Sequence, residues 1–276
     1  MNKMLFVFTA VIMSCTAFAQ VDKGLELFAQ GKYQESLATL ESYSSAEATL
    51  IKADAWHKLG EFDLALTAYF DAEEMGCSDL SLFLNRAICL ISLEKTEEAE
   101  YDLLTYFVQD ENNPKLHYYL AAIDYLDRNL REAHFHLDRA IELLPDCMEA
   151  HYLRAAVFID QHKPISAQKS FQYCVELQPE NLRNQLNLAI VNIELLQYNN
   201  ALDRLIELEE KEHNFKPELL FYKGLAQNAL HQQEEACMSW NKSAEDGDLF
   251  SKEMIEQVCI KGKKAPRRKR KTVATF

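Results

Sequence analysis

The sequence predicts an all-α protein made of stacked helix pairs. Three observations predict it. A pattern of side-chain sizes recurs every 34 residues: "REAHFHLDRAIELLP" (residues 131–145) and "ISAQKSFQYCVELQP" (165–179) share few identities. Yet Ala133 answers Ala167, Leu137 answers Phe171, Ala140 answers Cys174 and Pro145 answers Pro179. Within each repeat the marked positions are 4 and then 3 residues apart, which places them on one stripe of a helix. The chain of 276 residues has only 7 Gly and 6 Pro, too few for a turn-rich β fold, and its hydrophobic content of 48% is enough to bury a core.

In chain order, the first element is a leader rather than part of the fold. Lys3 precedes the apolar run "MLFVFTAVIM", too short to span a bilayer comfortably, and "AFAQ" supplies Ala17 and Ala19 in an A-x-A cleavage pattern. Residues 1–19 are therefore expected to be a signal peptide, leaving Gln20 first. Two alternatives stand beside it: an uncleaved anchor or first helix, and lipidation at Cys15, because "IMSC" loosely resembles a lipobox. The expected location is the periplasm or cell envelope of a Gram-negative bacterium, with the protein lipid-anchored if Cys15 is modified.

Residues 20–248 carry seven repeats. A small residue opens each second helix: Ser36, Ala65, Ala99, Ala133, Ala167, Ala201 and Ala236. Four residues on stands a bulky column of Leu40, Tyr69, Leu103, Leu137, Phe171, Leu205 and Trp240. Three further stands a mixed column of Tyr43, Ala72, Tyr106, Ala140, Cys174, Leu208 and Ser243. A helix pair cannot bury its apolar face alone, so a period of this size implies that neighbours stack on one another. Stacking requires only the sizes to persist. Residues 249–260, with Leu249, Phe250, Met254, Ile255 and Val258 on one stripe, read as an amphipathic capping helix. Residues 261–276 lose all periodicity. Eight basic residues lie between Lys261 and Lys271, in a chain whose net charge is -14, so an acidic body precedes a basic tail expected to be disordered.

These columns resemble the tetratricopeptide repeat family, whose pattern runs W-x2-L-G-x2-Y, then a turn, then A-x3-F-x2-A-x4-P. The fullest match is "HYYLAAIDYLDRNLREAHFHLDRAIELLP", residues 117–145, in which Leu120 and Ala121 stand for the L-G pair. Gly24 and Gly224 hold the glycine column of the first helix, and Gly31 and Gly60 the turn. The first repeat is five residues short, and the sixth lacks the final proline. The resemblance implies a right-handed α-solenoid whose first helices line a concave face. By register that face carries Leu50, Leu84, Tyr118, Tyr152, Leu186 and Phe221 in one column. A second column holds Asp54, Ile88, Ala122, Ala156, Ile190 and Leu225. Side chains of this kind suit an extended or helical apolar peptide. The equal alternative is that they fill the interior. The Lys and Asn of a carboxylate clamp are missing from these columns.

Catalytic and metal chemistry find no foothold. His134 and His136 are two apart on a helix and cannot converge on one ion. His117 and His151 lie one repeat apart. No C-x-x-C, phosphate-binding glycine loop or G-x-S-x-G is present, so no enzyme activity, cofactor or metal is expected. Cys237, on the last repeat's second helix, faces a capping helix that carries Cys259. The alternatives there are a disulfide and two buried thiols. The functional expectation is an exported scaffold that binds a peptide or protein, with Leu84, Ile88, Tyr118, Tyr152, Leu186, Ile190, Phe221 and Leu225 as contacts. The runner-up is a cell-envelope assembly component whose Lys263, Lys264, Arg267, Arg268, Lys269, Arg270 and Lys271 contact an anionic membrane or a partner. Nucleic acid is not an expected partner.

Overall fold

The computed structural model describes residues 18–263, and among them there are helices and turns but no strand. The leader with Cys15 and the basic residues from Lys264 onward lie outside the described residues. Seven helix pairs follow one another: α1 (18–29) with α2 (Tyr33–Leu40), α3 (Ala46–Lys58) with α4 (Phe62–Glu74), α5 (Ser81–Ser92) with α6 (Thr96–Phe107), and α7 (Pro114–Leu126) with α8 (Leu130–Leu143). Then come α9 (Met148–Asp160) with α10 (Pro164–Leu177), α11 (Leu182–Glu194) with α12 (Tyr198–Glu209), and α13 (Lys216–Ala229) with α14 (Gln233–Glu245). The cap begins as the short α15 (Leu249–Met254) and continues as a π-helical turn, Ile255–Ile260, where the sequence suggested one uniform helix.

The described residues divide into two compact units, 18–129 and 130–263. The boundary falls in the turn of the fourth pair, the repeat whose sequence matches the pattern most fully. In the first unit α3 packs on α4, α4 on α5, α5 on α6 and α6 on α7; in the second the same order runs from α8 to α15.

The size columns explain the packing. All seven small residues and all seven bulky ones are buried, and Ala53, Ala87, Ala121, Ala155 and Ala189 are buried in the first-helix column that begins with Gly24 and ends with Gly224. That column is small because the bulky column leans on it. A Cβ on Gly24 would lie 2.6 Å from the Leu40 side chain, and one on Gly224 would lie 2.4 Å from Trp240 Nε1. Trp240 is the largest fully buried residue, and its Nε1–H donates to the Phe221 carbonyl at 3.2 Å.

The turns keep one conformation while their residues drift. Gly31 and Gly60 have φ of 75° and 79°; at the same place in the later repeats stand Glu94, Arg128, His162, Leu196 and His231, with φ between 57° and 66°. Left-handed backbone costs a residue with a Cβ about 1–2 kcal/mol, which tertiary packing here overrides.

Candidate functional site

Two first-helix positions carry polar contacts that no single repeat discloses. At the place where the family pattern has Trp, the chain has His117, His151 and Gln185, all buried. Each bonds a carbonyl six residues back: His117 Nε2 to Glu111 (3.0 Å), His151 Nε2 to Pro145 (2.8 Å), and Gln185 Nε2 to Pro179. They tie each first helix to the loop before it. Burial lowers the His151 pKa; its Nε2–H donates to the carbonyl, and its Nδ1 accepts from Arg154 Nη2 at 3.1 Å.

Three residues later the register runs Lys52, Arg86, Leu120, Arg154, Leu188, Lys223. The four cations reach back to the preceding repeat. Lys52 Nζ donates to the Tyr43 carbonyl (2.8 Å), Arg86 Nη1 bonds Glu73 (2.5 Å), Arg154 Nη1 meets Asp138 (3.5 Å), and Lys223 bonds Glu209. A cation at this place is a latch across the junction between repeats. The sequence carried its signal as a charge recurring at the L of the L-G pair.

Arg86 is the deepest latch. Its guanidinium also makes two parallel bonds of 2.7 Å to Asp102 and lies 4.5 Å from the centre of the Phe70 ring. A cleft of about 410 Å³ opens over it in the first unit, between α4 and α6. Its walls include Phe70 and Tyr101, which are 43% and 71% exposed, and its rim carries Glu97 and Glu98.

The residues expected on the first-helix faces divide into two groups. Leu84, Leu186, Ile190 and Phe221 are buried. Phe221 sits beneath the cap, its ring 6.3 Å from that of Phe250, so the interior-filling alternative describes these four. Ile88, Tyr118, Tyr152 and Leu225 are only half-buried. In the first unit Tyr118 packs edge-on to Tyr119 at 4.9 Å. Two repeats earlier, on α3, Asp54 accepts bonds from Tyr69 Oη (2.6 Å) and Asn85 Nδ2 (2.9 Å), while burial raises its carboxyl pKa above the usual range. In the second unit the Tyr152 hydroxyl accepts from Asn187 Nδ2 (2.9 Å), and its ring meets Phe171 at 5.5 Å.

Cys237 and Cys259 form a disulfide, with Cα atoms 6.0 Å apart, that fastens the cap to α14. The remaining described cysteines, Cys77, Cys89, Cys147 and Cys174, are not disulfide-bonded. Burial pushes Cys89 and Cys174 up to about 12, which removes them from thiolate chemistry. His134 Nε2 lies 3.8 Å from Asp138 and its ring 5.0 Å from Phe158, while the His136 ring lies against Phe135. Lys263 is the last described member of the basic tail and is exposed.

Residues 21–77 match the model of the tetratricopeptide repeat family, and the paired helices, buried size columns and left-handed turns recur in the same register through the rest of the described residues. Among solved structures the chain is similar to a tetratricopeptide repeat protein from Parabacteroides merdae, with a TM-score of 0.63, 15% identity, and coverage of 87% of this chain and 97% of that one. It is also similar to a chain of the APC/C hetero-tetramer Cut9–Hcn1, with a TM-score of 0.64, 15% identity, and coverage of 83% of this chain and 46% of that one.

 

A human relative, Protein O-mannosyl-transferase TMTC3, is 25% identical over a stretch covering 74% of this chain. This chain spans 25% of that protein's length.

Proposed function

We propose that the chain is an exported repeat scaffold that binds a protein or peptide partner through its first-helix faces, and that it acts by binding rather than catalysis. The observation that carries this reading is the set of half-buried aromatic and aliphatic side chains left on those faces after the size columns are satisfied. These are Ile88 and Tyr118 in the first unit, and Tyr152 and Leu225 in the second. Tyrosine offers a partner a large apolar face and a hydroxyl at little entropic cost. The Cut9–Hcn1 hetero-tetramer is an instance of a similar fold assembling with a protein. The transferase named in the human relative belongs to a protein of which this chain matches a quarter. Export is supported by the leader pattern and by the Cys237–Cys259 disulfide, a bond at home in an oxidising compartment.

The test is affinity capture from the cell envelope, with the full chain and with Tyr118→Ala and Tyr152→Ala as separate variants. A partner retained by the parent chain and lost from either variant supports the reading. An identical set captured by all three contradicts it.

A further inference from the structure

The cleft over Arg86 has features that repeat packing does not require. Arg86 itself is fully engaged, with Asp102 and Glu73 as ion-pair partners and Phe70 on its face. Leu90, buried, belongs to the core beneath it. The rim is different. Tyr101 is exposed on the second helix of its repeat, and Glu97 and Glu98 are exposed with no ion pair among the described residues. With Glu73 and Asp102 the cleft holds four carboxylates against the single guanidinium of Arg86. It therefore joins an aromatic wall to uncompensated negative charge, which is the chemistry that recognises an arginine or lysine side chain: the ring takes the flat cation or the aliphatic stem, and carboxylates take the charge.

We propose that this cleft binds the basic segment at residues 264–271 of a second copy of this chain. Charge complementarity argues for that occupant. The segment "KAPRRKRK" has six basic residues and no acid, in a chain otherwise strongly acidic. Thirteen residues follow the last described one, and this segment begins them. The inference is independent of the first-helix faces, because the cleft is walled by the second helices α4 and α6.

A labelled peptide of residues 262–276 is titrated onto a full-length chain whose basic residues at 264 and 267–271 are replaced by Gln, and anisotropy is read. Saturable one-to-one binding is expected. Tyr101→Ala, and separately Glu97→Gln with Glu98→Gln, should each weaken it at least tenfold. All three side chains are exposed, so helical content and melting should be unchanged. Glu234→Gln with Glu235→Gln removes the same charge from the same two repeat positions in the last repeat, and should leave affinity within twofold. Equal losses from both glutamate pairs would mean attraction to the acidic surface at large and would overturn the proposal. So would an unchanged affinity in Tyr101→Ala. Absence of saturable binding, with the basic tail instead binding phosphatidylglycerol vesicles, would overturn it in favour of a lipid contact.

Discussion

Arg86 in the first unit and Lys223 in the second occupy the same place in their repeats and do different work. Arg86 is almost wholly withdrawn from water and makes a two-pronged contact with an equally buried Asp102. Lys223 keeps 16% of its side chain exposed and meets the one carboxylate of Glu209, itself 23% exposed. A planar fork satisfies a desolvated carboxylate with two directional bonds, whereas an ammonium acts as a point charge that stays hydrated where it can. One repeat position therefore supports a buried ion pair or a boundary contact, and the neighbouring acids decide which. The second unit's last repeat relies instead on Trp240 closing over Gly224, with the cap fastened by a disulfide.

The largest expected effect is at Arg86. Arg86→Ala leaves Asp102 buried without its counter-charge, and should cost the first unit about 3–5 kcal/mol, read as a fall in the urea midpoint. A loss under about 1 kcal/mol would show that water replaces the guanidinium. A smaller effect is expected at the other end of the comparison. In Gly224→Ala the new Cβ meets the Trp240 ring at 2.4–2.8 Å, which should destabilise the second unit by about 1–3 kcal/mol. Trp240→Leu should restore part of that loss in the double variant. Additive losses would place Trp240 elsewhere.

The size columns were legible in the sequence because burial constrains volume at every repeat. Ser36 and Cys174 could stand in for Ala without breaking the register. The turn was legible only where glycine marks it, at Gly31 and Gly60. Leu196 adopts the same left-handed backbone, imposed by the helices on either side, and no local signal reveals it. The first-helix faces were half legible. Register identified Tyr118 and Leu186 alike, but the exposure that separates them depends on which neighbours cover each position. The junction cations were present in the 34-residue alignment. Their role depends on partners such as Asp102 and Glu209, which come from other helices.

The difference between the two cation sites is tested most directly by paired double-mutant cycles in the full chain, Arg86→Met with Asp102→Leu and Lys223→Met with Glu209→Leu, followed by urea unfolding. The account predicts a coupling of about 2–3 kcal/mol for the buried pair and below about 1 kcal/mol for the boundary pair. Equal couplings, or a larger one at Lys223, would contradict it.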